Sequence, residues 1–352
     1  MPRPCHPERS EAASKDLSAG RDQGSGLGVQ GFLTEPAYGK LNLSLDVLGK
    51  RPDGYHDLRM VMCSVELHDD VEIALGAGQN GCTMVEAVET SLACPRRSAS
   101  RPCDKYELPQ GAQNLAFRAA SAYFAAAGIA PGGCFIRIAK RIPTQAGMAG
   151  GSSDAAAVLR ALNRHYGAFS DEQLREIGLT LGSDVPYCLF GGVALAEGRG
   201  ERLTRLPDLP EGMLFVLAKP DFSISTPALF RALDEATGIG DQRSGIRKSM
   251  PEAITAGDPA AIGKALSNDF APVLSREHPV VESVKQQMIE AGALGSELTG
   301  TGSVIYGLFD DASAAEKAAI ALRQQTSFFT AVTSATRFYQ SFSVAQCQRN
   351  SR

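Results

Sequence analysis

The segment Pro143-Thr-Gln-Ala-Gly-Met-Ala-Gly-Gly-Ser-Ser153 decides the fold, because it joins two stretches of different periodicity. Before it, residues 134–142 (Cys-Phe-Ile-Arg-Ile-Ala-Lys-Arg-Ile) alternate in polarity, which is typical of a strand. After it, apolar residues recur at i, i+3, i+4 and i+7 from Ala155 to Leu162, which predicts a helix over about 154–165. The order is therefore strand, glycine loop, helix.

This glycine loop has the composition of a phosphate-binding segment. Its small residues allow a ligand to approach the backbone, and we expect Ser152 and Ser153 to cap the helix and leave amide donors at its positive end. It is not a Walker A loop, because the sequence has no G-x-x-x-x-G-K-[ST]. The alternative is a loop whose glycines only let a helix pack closely on a sheet.

A second alternating segment, residues 37–48, predicts a half-buried strand. The residues expected on its core face are Leu41, Leu43, Leu45 and Val47. The residues expected on its other face are Lys40, Asn42, Ser44 and Asp46. The spacing places Lys40 and Asn42 side by side, roughly 6.6 Å apart along the strand.

The rest of the first half gives weaker signals. The turn Arg51–Gly54 predicts a return strand over 55–65 and a third strand near 71–75. The further elements expected are a helix over 114–127, a helix from a capping box at Ser170–Gln173 to Gly182, a turn over 183–186 and a hairpin around 197–200.

The proline-rich segment 206–210 suggests a domain boundary. The elements expected beyond it are a strand over 213–218, mostly helical pattern to Met288, a strand over 297–309 interrupted at Gly300–Gly302, a helix over 312–323 and a strand near 328–332. We read 82–110 as an insertion. The division predicted is a disordered extension (1–31), an amino-terminal domain (32–208), a carboxy-terminal domain (209–340) and a tail (341–352).

Composition excludes several classes of protein. The chain has 352 residues, enough for about two domains, and a formal net charge of −4, which offers no general field for nucleic acid. No apolar run reaches the ~18 residues of a membrane helix. The cysteines form no C-x-x-C pair, so reduced thiols and a cytoplasmic location are expected. Gly26, Gly28 and Gly31 have G-x-G-x-x-G spacing without the flanking strand and helix, so they do not indicate a dinucleotide site.

Five motifs together resemble a known family. They are Ala37–Leu43 with its Lys-Leu-Asn-Leu, Pro52–His56, Ile142–Ala156, Gly182–Pro186 and Thr299–Gly302. In this order they are similar to the GHMP kinase superfamily, and the resemblance covers roughly residues 33–335. The first two motifs resemble the branch that acts on a cytidine diphosphate sugar alcohol in non-mevalonate isoprenoid precursor biosynthesis.

The resemblance implies an α+β protein with the two-domain GHMP kinase fold. The amino-terminal domain would resemble the second domain of ribosomal protein S5, the carboxy-terminal domain would be ferredoxin-like, and both substrates would lie in the cleft between them. It also implies that ATP is the co-substrate and that its phosphates lie on the glycine loop. The loop residues concerned are Pro143, Thr144, Gln145, Ala146, Gly147, Met148, Ala149, Gly150, Gly151, Ser152 and Ser153.

The loop departs from the more glycine-rich family form at Gln145, Ala146 and Ala149, so we expect some change in nucleotide affinity without loss of binding. The resemblance implies Lys40 and Asp184 as the catalytic pair. Mg²⁺ is expected with ATP; the sequence does not identify its ligands, and Ser152 is a candidate.

The resemblance further places the cytidine between Tyr55 and Phe230, near His56, and the sugar alcohol near Asn42 and Thr226. Taken singly, each of these residues has an ordinary structural interpretation, as a surface, turn or core residue. The alternatives are a homoserine or mevalonate kinase of the same superfamily and a non-catalytic nucleotide-binding protein. The expected partners are small molecules, with neither nucleic acid nor membrane, and the expected state is a monomer or a weak homodimer.

Overall fold

The computed structural model describes residues 29–76, 83–88, 109, 111–130, 134–237 and 249–337. The predicted extension lies outside these residues except for its last three, as do most of the predicted insertion and the whole tail. Gly26 and Gly28 also fall outside.

A long antiparallel hairpin forms the centre of the first sheet. It consists of β1 (Val29–Lys50) and β2 (His56–Gly76), paired from Lys50 with His56 to Val29 with Gly76. The two strands predicted after the turn are therefore one continuous strand, because β1 is long enough to pair with all of it. Residues 29–31 belong to β1, so the predicted extension was three residues too long.

Among the described residues, the first sheet has seven strands. The remaining five are β3 (Thr83–Val88), β4 (Cys134–Ala139), β5 (Val193–Gly198), β6 (Arg202–Arg205) and β8 (Ser267–Asn268). The strand order is β3-β4-β2-β1-β8, and β5 pairs with both β2 and β6. The predicted hairpin at 197–200 is confirmed as β5–β6, whereas β3 forms inside the segment that we read as an insertion.

The prediction that β1 is buried on one face only was wrong. Lys40, Asn42, Ser44 and Asp46 are also buried. A register shift between Asn42 and Ser44 rotates the strand, so Leu41 and Leu43 pack in one apolar cluster and Leu45 and Val47 in the other. The irregularity is not visible in the alternation, because a bulge changes which face a residue occupies without changing the pattern of residue types.

The α-helices in the described part of this half are α1 (Leu115–Ala127), α2 (Gly150–Tyr166), α3 (Asp171–Leu181) and α4 (Val185–Phe190). The predicted capping box of α3 is confirmed, because the Ser170 and Gln173 side chains each accept from the other's backbone N–H. The predicted turn at 183–186 was only partly right, since α4 begins at Val185 with Asp184 as its N-cap residue.

The second sheet is antiparallel, with the order β11-β7-β10-β9. Its strands are β7 (Leu214–Lys219), β9 (Gly295–Leu298), β10 (Ile305–Phe309) and β11 (Phe329–Ser334). The accompanying helices are α5 (Thr226–Thr237), α6 (Ser249–Ala256), α7 (Pro259–Ala265), α8 (Ala271–Glu277), α9 (Val280–Glu290) and α10 (Ala312–Gln325). This strand order is that of a ferredoxin-like domain.

The two sheets share their cores. Strand β8, from the second half of the chain, pairs in parallel with β1 through Ser44 with Ser267 and Leu45 with Asn268. Both apolar clusters contain residues from both halves. The chain passes from one sheet to the other between Arg205 and Leu214, and the division at 208 stays a prediction.

Candidate active site

The glycine loop leads into α2 earlier than the sequence predicted. The helix begins at Gly150, its N-cap residue is Ala149, and no side chain caps it. Ser152 and Ser153 therefore do not cap the helix but lie in its first turn. The Ser153 hydroxyl is buried and donates to the carbonyl of Tyr38, which ties the helix to β1.

Backbone strain is concentrated in this loop. Gln145 has a φ of 51° and Ala149 a φ of 58°, both in the left-handed region that favours glycine. They are two of the three positions at which the loop departs from the glycine-rich family form. A left-handed non-glycine residue costs on the order of 1 kcal/mol or more, so the surrounding packing must hold the loop in place.

The start of α2 offers backbone donors. The N–H groups of Gly150, Gly151 and Ser152 precede the first helical bond, which runs from Ser153 N to Ala149 O at 2.8 Å. Gly151 is exposed and Ser152 half-buried. A helix N-terminus with free amides attracts anions, and this helix is 17 residues long.

The loop is held against residues 299–302 from the second half of the chain. Val304 N donates to Ala146 O at 3.2 Å, and Thr299 Oγ1 donates to Gly147 O at 3.4 Å. A Cβ placed on Gly147 would lie 2.1 Å from the backbone oxygen of Thr299. Only glycine therefore allows this approach between the two loops.

Lys40 lies beside the same contact. Its backbone N donates to Met148 O at 3.1 Å, and its buried ammonium donates to Asn42 Oδ1 at 2.5 Å. The Asn42 backbone N in turn donates to Thr299 Oγ1 at 3.0 Å. A Cβ on Gly300 would lie 3.3 Å from Lys40 Nζ, so the ammonium is adjacent to the 299–302 loop.

Asp184 is half-buried at the start of α4. The pKa of the Cys188 thiol is raised to about 12, mainly by burial; the charge of Asp184 contributes to the rise, and that of Lys40 opposes it. Across the described ranges no ion pair joins Lys40 to Asp184, and the Lys40 ammonium donates to Asn42 instead.

The residues expected around the cytidine form two ring contacts. His56 stacks on Phe230 with centroids 4.6 Å apart and planes at 23°. Tyr55 is half exposed and lies under the Arg199 guanidinium, which is 3.9 Å from the ring centroid. Phe230 also packs edge-on against Phe270 at 4.8 Å.

Three neighbours of these residues were missed by sequence reasoning. Asp234 Oδ1 accepts from His56 Nε2 at 2.9 Å, and Thr226 and Thr301 are joined through their hydroxyls at 3.1 Å. The missed residues are Arg199, Asp234 and Thr301. Asp234 could have been found from its i, i+4 spacing to Phe230, which puts both on one face of a helix.

A buried charged cluster behind the glycine loop was also missed. Lys140 Nζ donates to Asp69 and, at 2.7 Å, to Asp154 Oδ2. Burial raises the pKa of Asp154 to about 7, against the opposing effect of Lys140. Burial disfavours the charged form of Lys140, but the two carboxylates outweigh it and raise the pKa of Lys140.

This cluster fixes both ends of the loop. Asp69 Oδ1 accepts from Ile142 N at 2.7 Å, just before the loop, while Asp154 lies just after it. A Cβ on Gly150 would lie 3.3 Å from Lys140 Nζ. The sequence signal was a lysine at the end of a strand and an aspartate at the start of a helix, on either side of one loop.

Within the described part of the chain, no group of three or more His, Cys, Asp or Glu residues could hold a metal ion. Among the same residues, no helix combines the length and the apolar character needed to cross a bilayer.

Family comparisons agree with this architecture. The GHMP kinases N terminal domain matches residues 114–192 and the GHMP kinases C terminal domain matches residues 250–326. The chain is 42% identical over 294 residues to a 4-diphosphocytidyl-2-C-methyl-D-erythritol kinase of Pelotomaculum thermopropionicum, covering 83% of this chain and 94% of that protein. It is 39% identical to the enzyme of the same name from Geobacter sulfurreducens, covering 85% and 98%.

Solved structures give the same result. A crystal structure of 4-(cytidine 5'-diphospho)-2C-methyl-D-erythritol kinase has a TM-score of 0.67 at 32% identity and covers 86% of this chain and 100% of that one. A homoserine kinase from Cytophaga hutchinsonii has a TM-score of 0.66 at 19% identity, covering 88% and 96%, and this likeness shows the fold alone. The expected α+β GHMP kinase fold is confirmed.

Proposed function

The chain belongs to the 4-diphosphocytidyl-2-C-methyl-D-erythritol kinase family of GHMP kinases, and we propose the reaction and the residue roles that follow from this membership. The protein is a kinase: it transfers the γ-phosphoryl group of ATP to the 2-hydroxyl of 4-diphosphocytidyl-2-C-methyl-D-erythritol, giving the 2-phosphate and ADP, in isoprenoid precursor biosynthesis. The observation that carries the proposal is the contact between the glycine loop and Lys40, whose backbone N donates to Met148 O at 3.1 Å.

The ATP phosphates would lie on the free amides of Gly150, Gly151 and Ser152. These donors stabilise the negative charge of the phosphates without any side-chain cation in the loop. Thr299 and the cluster at Lys140 support the loop from two sides, so its strained conformation is kept in the absence of nucleotide.

Asp184 would accept the proton of the attacking hydroxyl. Phosphoryl transfer passes through a loose transition state, in which positioning and charge stabilisation matter more than a strong base. Lys40 is buried beside the glycine loop and would offset the charge on the transferring group. Its hydrogen bond to Asn42 holds the ammonium in place until substrate arrives.

Mg²⁺ is expected to accompany ATP. A magnesium ion bound to nucleotide takes most of its ligands from phosphate and water, and in P-loop NTPases a serine or threonine hydroxyl supplies one of the others. Ser152, half-buried in the first turn of α2, fits this requirement, whereas Ser153 donates to Tyr38 and is committed. The ion would neutralise charge between the β- and γ-phosphates.

Tyr55 and Phe230 would pack on the cytosine, and His56 would lie at its edge. Stacking on a base contributes roughly 1–3 kcal/mol per contact. Asn42 and Thr226 would hold the methylerythritol end, next to Thr299 and Thr301 respectively.

ADP release tests the reaction directly. We expect ADP only when ATP and the cytidylated substrate are both present, and none with homoserine or mevalonate. ADP release with either of those alcohols, or with none, would contradict the proposal.

The proton acceptor has its own test. Since a positioned general base contributes about 10²–10⁴-fold, Asp184→Asn should lower kcat by that order while leaving both KM values nearly unchanged. Near-normal kcat in a folded variant that binds both substrates would contradict this role.

We propose a cytoplasmic monomer or weak homodimer. Cys63, Cys134 and Cys188 are buried free thiols, as expected in a reducing compartment. Light scattering over a range of protein concentrations tests the oligomeric state.

A further inference from the structure

Asp234 links the turn that follows β1 to helix α5. Its Oδ1 lies 2.9 Å from His56 Nε2, and its Oδ2 lies 3.4 Å from Lys50 Nζ. The His56 ring also stacks on Phe230, which lies four residues before Asp234 on helix α5. This contact holds the ring from the side. The imidazole is therefore fixed in position and largely buried, with 9% of its side chain exposed.

The hydrogen bond from His56 determines which ring nitrogen carries a proton. An ionised carboxylate only accepts hydrogen bonds, so Nε2 must be the donor. The other oxygen of Asp234 already has the Lys50 ammonium as its cationic partner. In a neutral imidazole with Nε2 protonated, Nδ1 has a lone pair and only accepts.

No hydrogen bond to His56 Nδ1 is present among the described residues. An acceptor at this point distinguishes the two pyrimidines that a nucleoside diphosphate can carry: cytosine presents an amino group, which donates, where uracil presents a carbonyl oxygen, which accepts. An acceptor therefore pairs with cytosine and repels uracil.

We propose that Asp234 is a positioning residue that selects cytosine over uracil by holding His56 as the Nε2-protonated tautomer. The inference rests on the proposed function, because it takes the cytidylated substrate to bind beside His56. Lys50 assists by giving the other oxygen of the carboxylate a cationic partner.

The test compares kcat/KM for the cytidylated substrate and its uridylated analogue in wild type, Asp234→Asn and Asp234→Glu. The amide of asparagine can also donate to Nε2, which allows the opposite tautomer, so the preference for cytosine should fall about 5- to 10-fold in Asp234→Asn. The glutamate variant should restore part of it. Glu235→Gln, an exposed neighbour on the same helix, is the matched control and should keep the wild-type ratio.

A purely structural role for Asp234 would lower kcat/KM for both substrates by the same factor and leave their ratio unchanged, which would overturn the proposal. The tautomer itself can be read without activity, from long-range ¹H–¹⁵N correlations of the histidine rings, with His56→Gln assigning the signal. We expect Nε2–H in wild type and a changed pattern in Asp234→Asn. If wild type phosphorylates neither compound, the proposed function fails, whereas the NMR result still decides the tautomer.

Discussion

At Gly147, one added carbon atom would collide with the other half of the chain. The Cβ would lie 2.1 Å from Thr299 O, and the residue has a φ of +75°. Gly167 has a similar φ of +64° but nothing within 4 Å of its Cβ position. Comparing Gly147 with Gly167 therefore separates the energetic cost of the left-handed conformation from the cost of the contact with Thr299.

We expect Gly167→Ala to lower the free energy of unfolding by about 1–2 kcal/mol, the cost of the left-handed conformation alone. Gly147→Ala should lower it further and should raise KM for ATP, because the glycine loop must move away from residues 299–302. Urea unfolding and steady-state kinetics measure both effects. Equal losses of stability in the two variants would show that the loops separate freely.

Arg199 covers one face of an exposed aromatic ring. Its guanidinium lies 3.9 Å from the Tyr55 centroid, which orients the ring and leaves its other face for a ligand. A cation–π contact at an exposed site contributes about 0.5–1 kcal/mol. The contact is made across two hairpins, so neither local sequence indicates it.

Arg199→Ala should therefore raise KM for the cytidylated substrate about 2- to 5-fold and leave kcat unchanged. Arg202→Ala, an exposed arginine of the same hairpin, is the control and should have no effect. A fall in kcat at unchanged KM would mean that Arg199 acts on the transferring group instead.

At the scale of elements, the start of α2 carries a buried carboxyl, Asp154, that loses its proton at a higher pH than an exposed carboxyl does. Burial raises the pKa of Asp154 to about 7 from the ordinary 3.8. Between these values the folded chain binds a proton that the unfolded chain releases. The contribution of this group to stability is therefore fully present below about pH 4 and is lost as the pH rises through about 7.

Asp154→Asn keeps a neutral group at every pH, so its stability should lack this decline. We expect the free energy of unfolding of the variant, relative to wild type, to rise between about pH 4 and pH 7 and then to stay constant. Urea unfolding at several pH values measures it, with the exposed Asp171→Asn as control. Parallel profiles for wild type and Asp154→Asn would show that Asp154 is ionised in the folded state.

At the scale of the whole molecule, the shared cores predict one cooperative unfolding transition. Tyr306 of β10 donates to the carbonyl of Asn42 in β1 at 2.8 Å, and Asn268 donates to Leu298 O and Gly300 O at 2.9 and 2.8 Å. Exposing either sheet would therefore uncover apolar surface of the other.

We expect thiol labelling of Cys63, Cys134 and Cys188, which reports the first half, to have the same urea midpoint as far-UV circular dichroism, which reports both halves. Two separate midpoints would show that the halves unfold independently, and the division near residue 208 would then be a folding boundary as well.

Much of the fold follows from local patterns. The helices at 115–127, 171–181 and 312–325 and the strands β4, β7 and β10 lie where periodicity and capping residues predict them. The errors occur where a long-range partner decides the conformation. The two strands predicted after the turn form the single strand β2, because β1 pairs with its whole length. Helix α2 begins at Gly150, earlier than predicted, because Ala149 is held in a left-handed conformation.

The candidate site divides in the same way. The sequence by itself determined the glycine loop, because the loop depends on residue types at fixed local spacing, and its resemblance to a known family implied the α+β class and candidate residues such as Lys40. Only the tertiary structure decided that Lys140, Asp69 and Asp154 share one buried cluster, and that Asp234 contacts His56 across 178 positions of sequence. Contacts of this kind depend on how the two sheets pack, and no local pattern encodes that packing.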